Sequence, residues 1–506
     1  MGLYDLTFYD IIVQNDRLIG PAEAWRDVDG GRTVTFAQYR REVDRLAAGL
    51  QSLGVDHGDR IGVLAQNSLP FFEIFGAAAA LGAIVVPVNW RLSADEVVFN
   101  FNDTTPKVLF CDSDYHALLE ENRARLESVK HIYRLDGPDK AEGHISRLMT
   151  HAGTLTLPVV EGLNDFVIIH TAAVEGKPRG AVMSHTNVVC ANMHIKALFE
   201  TRSDDRHLNL LPLFHVAGLF MALHAFHAGA LNVNLKRFDA ATAVDQIAAG
   251  DGTIMFDFAP ILGAILDRQQ ETGADISRLR GVLGIEAPDT IERYQKVSGG
   301  RFYCLFGQTE TSLLTSTGAY DDCPGAAGRP VTNGLVALFN NHDRPVGTGE
   351  IGEIVMRGPM VFKGYWRRPE DNRKTFRAGW HHTGDLGRFD TGGFLWYEGR
   401  KADKELIKPG GENVYPAEVE KVILEHPAVE AVVVFGVPDP KWKEGIKAIC
   451  RLKAGQELTA KALIDFVGAR IARYKKPQYV EFVTEMPLLE DGTFDRIAVK
   501  QRYGGG

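Results

Sequence analysis

The sequence is poor in cysteine and has none of the cysteine spacings that bind zinc or build a disulfide framework. Its 506 residues contain five cysteines, which are scattered and never form a CxxC or CxxxC pair. Isolated cysteines of this kind are typical of reduced, buried thiols in an intracellular protein. This usage predicts a cytoplasmic protein without disulfide bonds.

The sequence also lacks an apolar run suited to crossing a membrane and a secretion signal. The most apolar stretch, residues 71–88, contains Glu73 and reaches Pro87 near its end, which favours a buried helix followed by a strand. The N-terminal stretch MGLYDLTFYDIIVQND carries Asp5 and Asp10 where a secretion signal needs a positive flank and an apolar core. Neither a transmembrane segment nor export is predicted.

No excess of positive charge is present to hold nucleic acid or anionic lipid. Lys and Arg total 56 and Asp and Glu total 65, for a formal net charge of −9, so a nucleic acid partner is not expected. Hydrophobic residues make up 45% of the chain and charged residues 24%, proportions typical of a globular protein with a large core. At about 150 residues per domain, the length predicts roughly three structural units.

The first part of the chain alternates helical and strand patterns. Apolar residues recur at three-to-four spacing over 36–54 and Gly54 supplies a stop, which predicts a helix. Short apolar runs, typical of strands buried on both faces, follow at 60–65, 83–88 and 107–112. Because the same alternation recurs further along, the sequence predicts an α/β body of two related lobes.

The pattern changes twice in the C-terminal part. First, short strands separated by glycines indicate a small β unit that closes the body. After Arg400, two helical patterns at 416–427 and 459–474 flank apolar strands. The sequence therefore predicts the α/β fold class, with a large N-terminal domain over 1–398 and a small α+β domain over 399–506.

Residues 166–187 combine a strand, a basic loop that contains glycine, and a helix start. Backbone N–H groups in such a loop, together with the cations Lys177 and Arg179, can surround phosphate oxygens. A plain surface turn with two solvated cations has the same pattern. This block alone leaves both interpretations open.

Residues 302–312, FYCLFGQTETS, place an aromatic ring, a glycine and a carboxylate at the end of an apolar strand. Phe306 can cover a flat base, and Glu310 can hold Mg²⁺ against phosphate oxygens because hard cations prefer carboxylate oxygen. The alternative is a capped helix start, with Gln308 or Thr309 as the cap and Glu310 favoured in the first turn. The two interpretations are compatible.

Taken together, the blocks of this chain resemble those of the adenylate-forming acyl-CoA synthetases, a family that also holds luciferases and the adenylation domains of peptide synthetases. The resemblance runs over essentially the whole chain. Its blocks are VPVNWRLSADE at 86–96, GKPRG at 176–180, LPLFHVAG at 211–218, FGQTE at 306–310, GYW with GWHHTGD at 364–385, and GR followed by GGENVYPAEVE up to residue 420.

The resemblance implies an AMP-forming acid–CoA ligase of fatty acid metabolism that uses ATP, Mg²⁺ and coenzyme A. A carboxylate attacks the α-phosphate of ATP to give acyl-AMP and pyrophosphate, and the CoA thiol then displaces AMP. Between these steps a mobile C-terminal domain rotates about a hinge just after Arg400. The carboxylic acid and CoA are the implied partners, and a homodimer is compatible with the family.

The resemblance also assigns roles to individual residues on the nucleotide side. Phe306 stacks on adenine, Asp385 holds the ribose hydroxyls with help from Arg400, Thr309 touches the α-phosphate, and Glu310 binds Mg²⁺. The further residues that it assigns to cofactor binding are Gly307, Gln308, Glu286, Ala287, Gly410 and Gly411. The two glycines at 410 and 411 let backbone approach the pantetheine arm of CoA, which a side chain would block.

The catalytic set implied by the resemblance adds two residues to Thr309 and Glu310. Lys177 supplies charge at the phosphates. His215 borders the acyl pocket, which the blocks at 256–260 and 284–288 also line. If Asp257 and Glu286 face this pocket, we expect a substrate with hydroxyl, amide or ring polarity rather than a plain long chain, since an unpaired buried charge is costly.

The chain departs from the family pattern at residues that serve the first step, the formation of acyl-AMP. Where the phosphate loop usually reads close to YTSGTTGKPKG, the segment AAVE at 172–175 replaces hydroxyls and a glycine. The adenylation lysine of the usual GK dipeptide is replaced by Thr493, so its stabilisation of developing charge is missing. Lys500 lies further on, and the hinge position is Ala402.

Three hypotheses follow from these departures. The chain is an active ligase with a rearranged phosphate site, an enzyme specialised for the thioester step or its reversal, or a pseudoenzyme that binds nucleotide or acyl-CoA. The intact GGENVYP block favours the first two, because a pure binding protein has no need of a CoA tunnel. An active ligase is the main prediction.

Overall fold

The computed structural model describes residues 2–139, 141–150, 153–171, 178–401, 406–409, 412, 414–440, 442–489 and 494–504. The chain forms two compact units. The large unit comprises Met1–Trp90, Phe101–His170 and Gly180–Gly399, and the small unit comprises Arg91–Asn100, Thr171–Arg179 and Arg400–Gly506. The predicted fold class, α/β with a large N-terminal body and a small C-terminal domain, is confirmed.

Helices and strands alternate along most of the large unit. In the described part of the chain the α-helices are α1 (Phe8–Ile19), α2 (Phe36–Ser52), α3 (Leu69–Leu81), α4 (Ala94–Thr104), α5 (Ser113–Glu121), α6 (Ser146–Thr150), α7 (His185–Phe199), α8 (Val216–Ala228), α9 (Ala240–Ala248), α10 (Ile261–Thr272), α11 (Pro288–Ser298), α12 (Pro369–Thr375), α13 (Pro416–Leu424), α14 (Ala460–Gly468) and α15 (Arg496–Tyr503).

Most of the strands are two to seven residues long. They are β1 (Glu23–Asp27), β2 (Thr33–Thr35), β3 (Arg60–Leu64), β4 (Ile84–Pro87), β5 (Val108–Cys111), β6 (His131–Arg134), β7 (Asp165–Thr171), β8 (Arg179–Ser184), β9 (Arg206–Asn209), β10 (Leu231–Asn234), β11 (Ile254–Phe258), β12 (Gly281–Ile285), β13 (Arg301–Phe306), β14 (Ser316–Ala319), β15 (Arg329–Pro330), β16 (Leu335–Phe339), β17 (Gly352–Arg357), β18 (Gly364–Tyr365), β19 (Phe376–Arg377), β20 (Trp380–Phe389), β21 (Leu395–Arg400), β22 (Val429–Asp439), β23 (Lys443–Leu452) and β24 (Tyr479–Phe482).

Three sheets organise the described part of the large unit. A nine-stranded sheet has the order β15-β14-β13-β12-β11-β9-β10-β1-β2, and a seven-stranded sheet has the order β18-β8-β7-β4-β3-β5-β6. A five-stranded sheet, β16-β17-β20-β19 with β21 paired to β20, forms the predicted small β unit. In the small unit β22, β23 and β24 form one sheet, against which α13 and α14 pack.

The predicted helix over 36–54 is α2. It begins with a capping box, in which Thr35 Oγ1 accepts the N–H of Gln38 at 3.2 Å and Gln38 Oε1 accepts the N–H of Thr35 at 2.8 Å. The three apolar runs that follow are β3, β4 and β5, and β3 pairs in parallel with both neighbours. The predicted alternation of helices and strands is present, and these three strands form part of a parallel sheet.

Helix α3 is apolar on all sides except at Glu73. Ser68 caps its start, since Ser68 Oγ accepts the N–H of Phe71 at 3.3 Å, and Gly82 ends it with a φ of +64°. Every residue of α3 except Pro70 is buried, because a helix that is apolar on nearly every side must be enclosed by other elements. The prediction of a buried helix is confirmed.

None of the helices in the described part of the chain combines the length and apolar character that a membrane crossing needs.

The nine-stranded sheet gathers three strand ends at one edge. β11, β12 and β13 are neighbours and run parallel. Their last residues, Phe258, Ile285 and Phe306, therefore lie at the same carboxyl edge. This edge is where open α/β sheets bind their ligands.

The small unit encloses a lysine between two carboxylates. Lys475 Nζ lies 2.5 Å from Glu418 Oε2 and 2.7 Å from Glu96 Oε1, and 4% of the lysine side chain is exposed. Burial opposes the charge on Lys475, but the attraction of Glu418 and Glu96 holds its pKa above the ordinary value. Loss of one member of this trio leaves uncompensated charge inside the unit.

We expect Lys475→Met to lower the free energy of unfolding by about 3 kcal/mol, because Glu418 and Glu96 would lose their buried counter-ion. The control Lys461→Met removes an exposed ion pair with Asp465, Nζ to Oδ2 2.7 Å, and should leave the stability essentially unchanged. Calorimetric unfolding of both variants beside the wild type measures the difference. Equal stability of Lys475→Met and the wild type would contradict the cost of leaving Glu418 and Glu96 without their counter-ion.

Candidate active site

The chain reverses direction sharply after β13, and the reversal carries the first group of predicted site residues. Phe306 ends β13 and is paired with Ser316 of the antiparallel strand β14. Gly307 is required in the turn, because an added Cβ would overlap the backbone oxygen of Leu313. Ser312 and Leu313 have φ values of +52° and +82°, a costly conformation for residues other than glycine that clusters at functional sites.

Phe306, Gln308, Asp385 and Tyr397 form a contiguous group, the Asp385 cluster. The rings of Phe306 and Tyr397 stack, with centroids 5.7 Å apart and planes at 27°. Tyr397 Oη donates to Asp385 Oδ1 at 3.0 Å, and Gln308 Nε2 donates to Asp385 Oδ2. The structure thus brings together three residues that the sequence assigned to the nucleotide, and it orients the carboxylate between two neutral donors.

Glu310 lies beside this cluster on a single 3₁₀ turn, Thr309–Thr311. Its Oε1 accepts a hydrogen bond from Tyr365 Oη at 2.8 Å, and its backbone oxygen accepts the N–H of Phe362 at 2.9 Å. Both Thr309 and Glu310 are 8% exposed. The helix start expected as the alternative is therefore only this one turn, and Glu310 is held by the Tyr365 side chain and the Phe362 backbone.

The donor set at this turn fits Mg²⁺ carried by a nucleotide. Across the described residues, no group of three or more His, Cys, Asp or Glu side chains is arranged to hold a metal ion. Nucleotide-bound Mg²⁺ needs only one or two protein carboxylates, since phosphate oxygens and water complete its shell. The oriented carboxylate of Glu310 meets that requirement.

Tyr397 and Tyr365 are the two members of this site that sequence analysis missed. Tyr397 precedes the GR block within LWYEGR at 395–400, and Tyr365 stands inside the GYW block. Each is a hydroxyl-bearing aromatic on a short strand, inside or next to a block that the family resemblance singles out. Their position near these blocks was the only signal in the sequence that pointed to them. Their hydrogen bonds to Asp385 and Glu310 depend on tertiary structure and could not be predicted from it.

His215 is placed at the start of α8, at the carboxyl edge of the sheet. Its Nδ1 accepts the N–H of Ala217 at 3.3 Å, so it caps the helix. Its ring meets Phe258 edge to face, with centroids 5.7 Å apart, and Phe258 in turn packs on Phe256 at 5.0 Å. A row of rings therefore leads from His215 along β11.

The two acids considered for the acyl pocket have separate local contacts. Asp257 is fully buried, and its Oδ1 accepts the N–H of Leu262 at 2.9 Å in the first turn of α10. Glu286 is half-buried, and its Oε1 accepts the N–H of Ala287 at 2.8 Å where α11 begins. Both carboxylates support helix starts, which favours a structural role for Asp257 and leaves Glu286 at the sheet edge.

The remaining predicted residues fall elsewhere. Arg400 belongs to the small unit, where its Nη1 lies 3.5 Å from Tyr415 Oη. The predicted site residues and departures that lie outside the described residues are Lys177, Gly410, Gly411, Ala402, Thr493 and the segment 172–175.

Comparison with known proteins gives matches over almost the whole chain. The family model of the AMP-binding enzyme matches residues 19–366, and that of the AMP-binding enzyme C-terminal domain matches residues 418–492. A feruloyl-CoA synthase of Amycolatopsis is 34% identical over 486 residues, covering 94% of this chain and 95% of that protein. An indoleacetate–CoA ligase of Aromatoleum aromaticum is 32% identical, and the long-chain-fatty-acid–CoA ligase FadD13 of Mycobacterium tuberculosis is 31% identical, each with 93% of both chains covered.

A solved structure shows the same architecture. The o-succinylbenzoate CoA synthetase of Bacillus subtilis, a double mutant bound to a product analogue, is 27% identical and has a TM-score of 0.87 over 99% of this chain and 100% of that one. The predicted enzyme class, an AMP-forming acid–thiol ligase, is confirmed by these relatives, and the alternatives of a thioester-step enzyme or a pseudoenzyme are not favoured. The protein is therefore a member of the AMP-binding enzyme family.

Proposed function

We propose that the protein joins a carboxylic acid to coenzyme A at the expense of ATP. A carboxylate oxygen attacks the α-phosphorus, the bond to the bridging oxygen breaks, and pyrophosphate leaves with the electron pair. The CoA sulfur, as thiolate, then attacks the acyl carbon of acyl-AMP, and AMP leaves. The observation that carries the proposal is the Asp385 cluster beside Glu310. The cluster has an aromatic face and the oriented carboxylate of Asp385, and a second carboxylate, that of Glu310, lies on the turn that directly follows Gln308.

The Asp385 cluster supplies the groups that a nucleoside needs. Phe306 offers a flat apolar surface for the base, and Tyr397 holds that ring in place. Asp385 accepts hydrogen bonds from the ribose hydroxyls. Such hydrogen bonds are stronger when the acceptor is ionised. Because Gln308 and Tyr397 already orient its carboxylate, little ordering remains to be done on binding.

The turn after the cluster serves the phosphates. Thr309 donates its hydroxyl to an α-phosphate oxygen, and its burial keeps that group in one position. Mg²⁺, held by Glu310, would neutralise charge on the phosphate oxygens when bound. Lys177 supplies a further cation for this charge, and Arg179 stands two residues later at the start of β8.

Two proposed features concern the CoA step. Arg400 marks the hinge about which the small domain turns between the two reactions. Gly410 and Gly411 leave room for the pantetheine arm. Both assignments come from the family resemblance of the GR and GGENVYP blocks.

We propose a ring-bearing carboxylic acid as the substrate class. His215 and Phe258 place two rings at the sheet edge, and the buried Phe256 packs against Phe258 from within β11. Aromatic walls favour flat substrates through offset or edge contacts. Ferulate, indoleacetate and o-succinylbenzoate, which appear in the names of three relatives, all carry a ring. A fatty acid ligase is also among the relatives, so the predicted setting in fatty acid metabolism is one of several and a substrate panel must decide.

We expect the wild type, given ATP, Mg²⁺ and CoA, to release AMP and form thioesters with ring-bearing acids faster than with palmitate. Thr493→Lys should increase acyl-AMP formation at least tenfold, because it restores a cation at the reacting phosphate. The control Thr493→Met has a similar length without the charge and should give no increase. An inactive wild type beside an active Thr493→Lys would contradict an active ligase, and a preference for palmitate would contradict the substrate class.

We expect Tyr397→Phe to raise the Kd of AMP about fivefold. The variant keeps the stack on Phe306 but loses the hydrogen bond to Asp385, a contact worth about 1 kcal/mol. The control Tyr479→Phe removes a comparable bond, Tyr479 Oη to Asp439 Oδ2 at 2.9 Å, from the small unit and should leave the Kd unchanged. Titration calorimetry with AMP measures both. An unaltered Kd in Tyr397→Phe would remove Tyr397 from the nucleotide site.

A further inference from the structure

Asp385 lies on a bulge of strand β20. In the pairing of β17 with β20, Glu353 is opposite Leu386 and Val355 is opposite His382. One residue of β17 therefore faces the three residues 383–385 of β20, and the extra residues leave the regular ladder. Bulges of this kind redirect side chains next to active sites, and this one carries Asp385 towards Gln308 and Tyr397.

The bulge leaves backbone groups that need partners other than the ladder. Gly384 has a φ of +72°, a conformation that glycine adopts without strain, and its N–H donates to Glu353 Oε1 at 3.0 Å. Thr383 Oγ1 donates to the carbonyl of Ile354 at 2.7 Å and accepts the N–H of Asp385 at 3.1 Å. One carboxylate and one hydroxyl thus hold the bulge in shape.

Glu353 is itself held from its other side. It is 5% exposed, and a buried carboxylate persists only when it is paired and hydrogen-bonded. Its Oε2 lies 3.0 Å from His382 Nδ1 and 3.5 Å from Arg377 Nη2. Arg377 also contacts Asp343 through two bonds of 3.2 Å. The chain of contacts runs from the surface to the N–H of Gly384.

We infer that Glu353 is a positioning residue for nucleotide binding, which acts by fixing the bulge from which Asp385 reaches the ribose. The inference rests on the proposed function, because it takes the ribose contact of Asp385 as given. Glu353 accepts the N–H of Gly384 and in this way sets the position of the Asp385 carboxylate. It contacts no substrate itself. Without Glu353 that N–H has no acceptor, and the bulge relaxes to satisfy it elsewhere.

The test compares the Kd of AMP with that of 2′,3′-dideoxy-AMP, which lacks the ribose hydroxyls. In the wild type we expect AMP to bind about tenfold more tightly, since two hydroxyls contact a charged acceptor. In Glu353→Ala the ratio of the two Kd values should fall towards one, because a displaced Asp385 no longer distinguishes the ligands. Glu353→Gln retains an oxygen acceptor for Gly384 and should restore the ratio to within about twofold of the wild type.

The matched control is Glu350→Ala. Glu350 Oε2 accepts the N–H of Gly347 at 2.8 Å on an exposed turn, so its loss removes the same type of bond and should leave the ratio unchanged. If Glu353→Ala does not fold, Thr383→Val, which removes the other support of the bulge, should lower the ratio in its place.

Each outcome has a distinct meaning. A wild type that binds AMP and the dideoxy compound equally would overturn the ribose role of Asp385 and the positioning role with it. A wild type that discriminates, beside variants at 353 and 383 that weaken both ligands equally and keep the ratio, would overturn the positioning role alone. That second pattern is what a merely structural contribution of Glu353 produces.

Discussion

The geometry of the site depends on one carboxylate that is held by groups distant from it in the sequence. Asp385 receives hydrogen bonds from Gln308, which follows a strand of the nine-stranded sheet, and from Tyr397, which lies on a strand of the five-stranded sheet. Neither sheet alone provides both donors. The stacking of Phe306 on Tyr397 depends on the same meeting of sheets, so their packing within the large unit creates the proposed nucleotide-binding surface.

Local patterns in the sequence were sufficient for the elements and for part of the site. The capping box and apolar spacing of α2 and the apolar runs of β3 to β5 depend on neighbouring residues, which is why their positions could be predicted. Phe306, Gln308 and Asp385 were predicted as site residues because they stand in sequence blocks that resemble those of a family. Tyr397 and Glu353 escaped, since a hydrogen bond to a residue on another strand and the register of a bulge have no local signature.

Buried acidic groups in both units are oriented by basic partners. Glu353 faces His382 and Arg377 in the large unit, and Glu418 faces Lys475 in the small unit. Such pairs contribute little net stability when compared with apolar packing, but they restrict a side chain to one orientation. These pairs lie next to strand ends and loops, where a fixed side-chain orientation matters most for a site. Their placement agrees with a role in restricting orientation.

Helix α3 has a consequence for synthesis in the cell. Phe72 on α3 packs against Phe226 of α8, with ring centroids 5.8 Å apart, so the helix stays partly uncovered until about 150 further residues have been translated. At about 5–20 residues per second, a largely apolar surface is exposed on the ribosome for roughly 8–30 s. Chaperone supply and translation speed therefore bear on the yield of this protein, besides the stability of the finished fold.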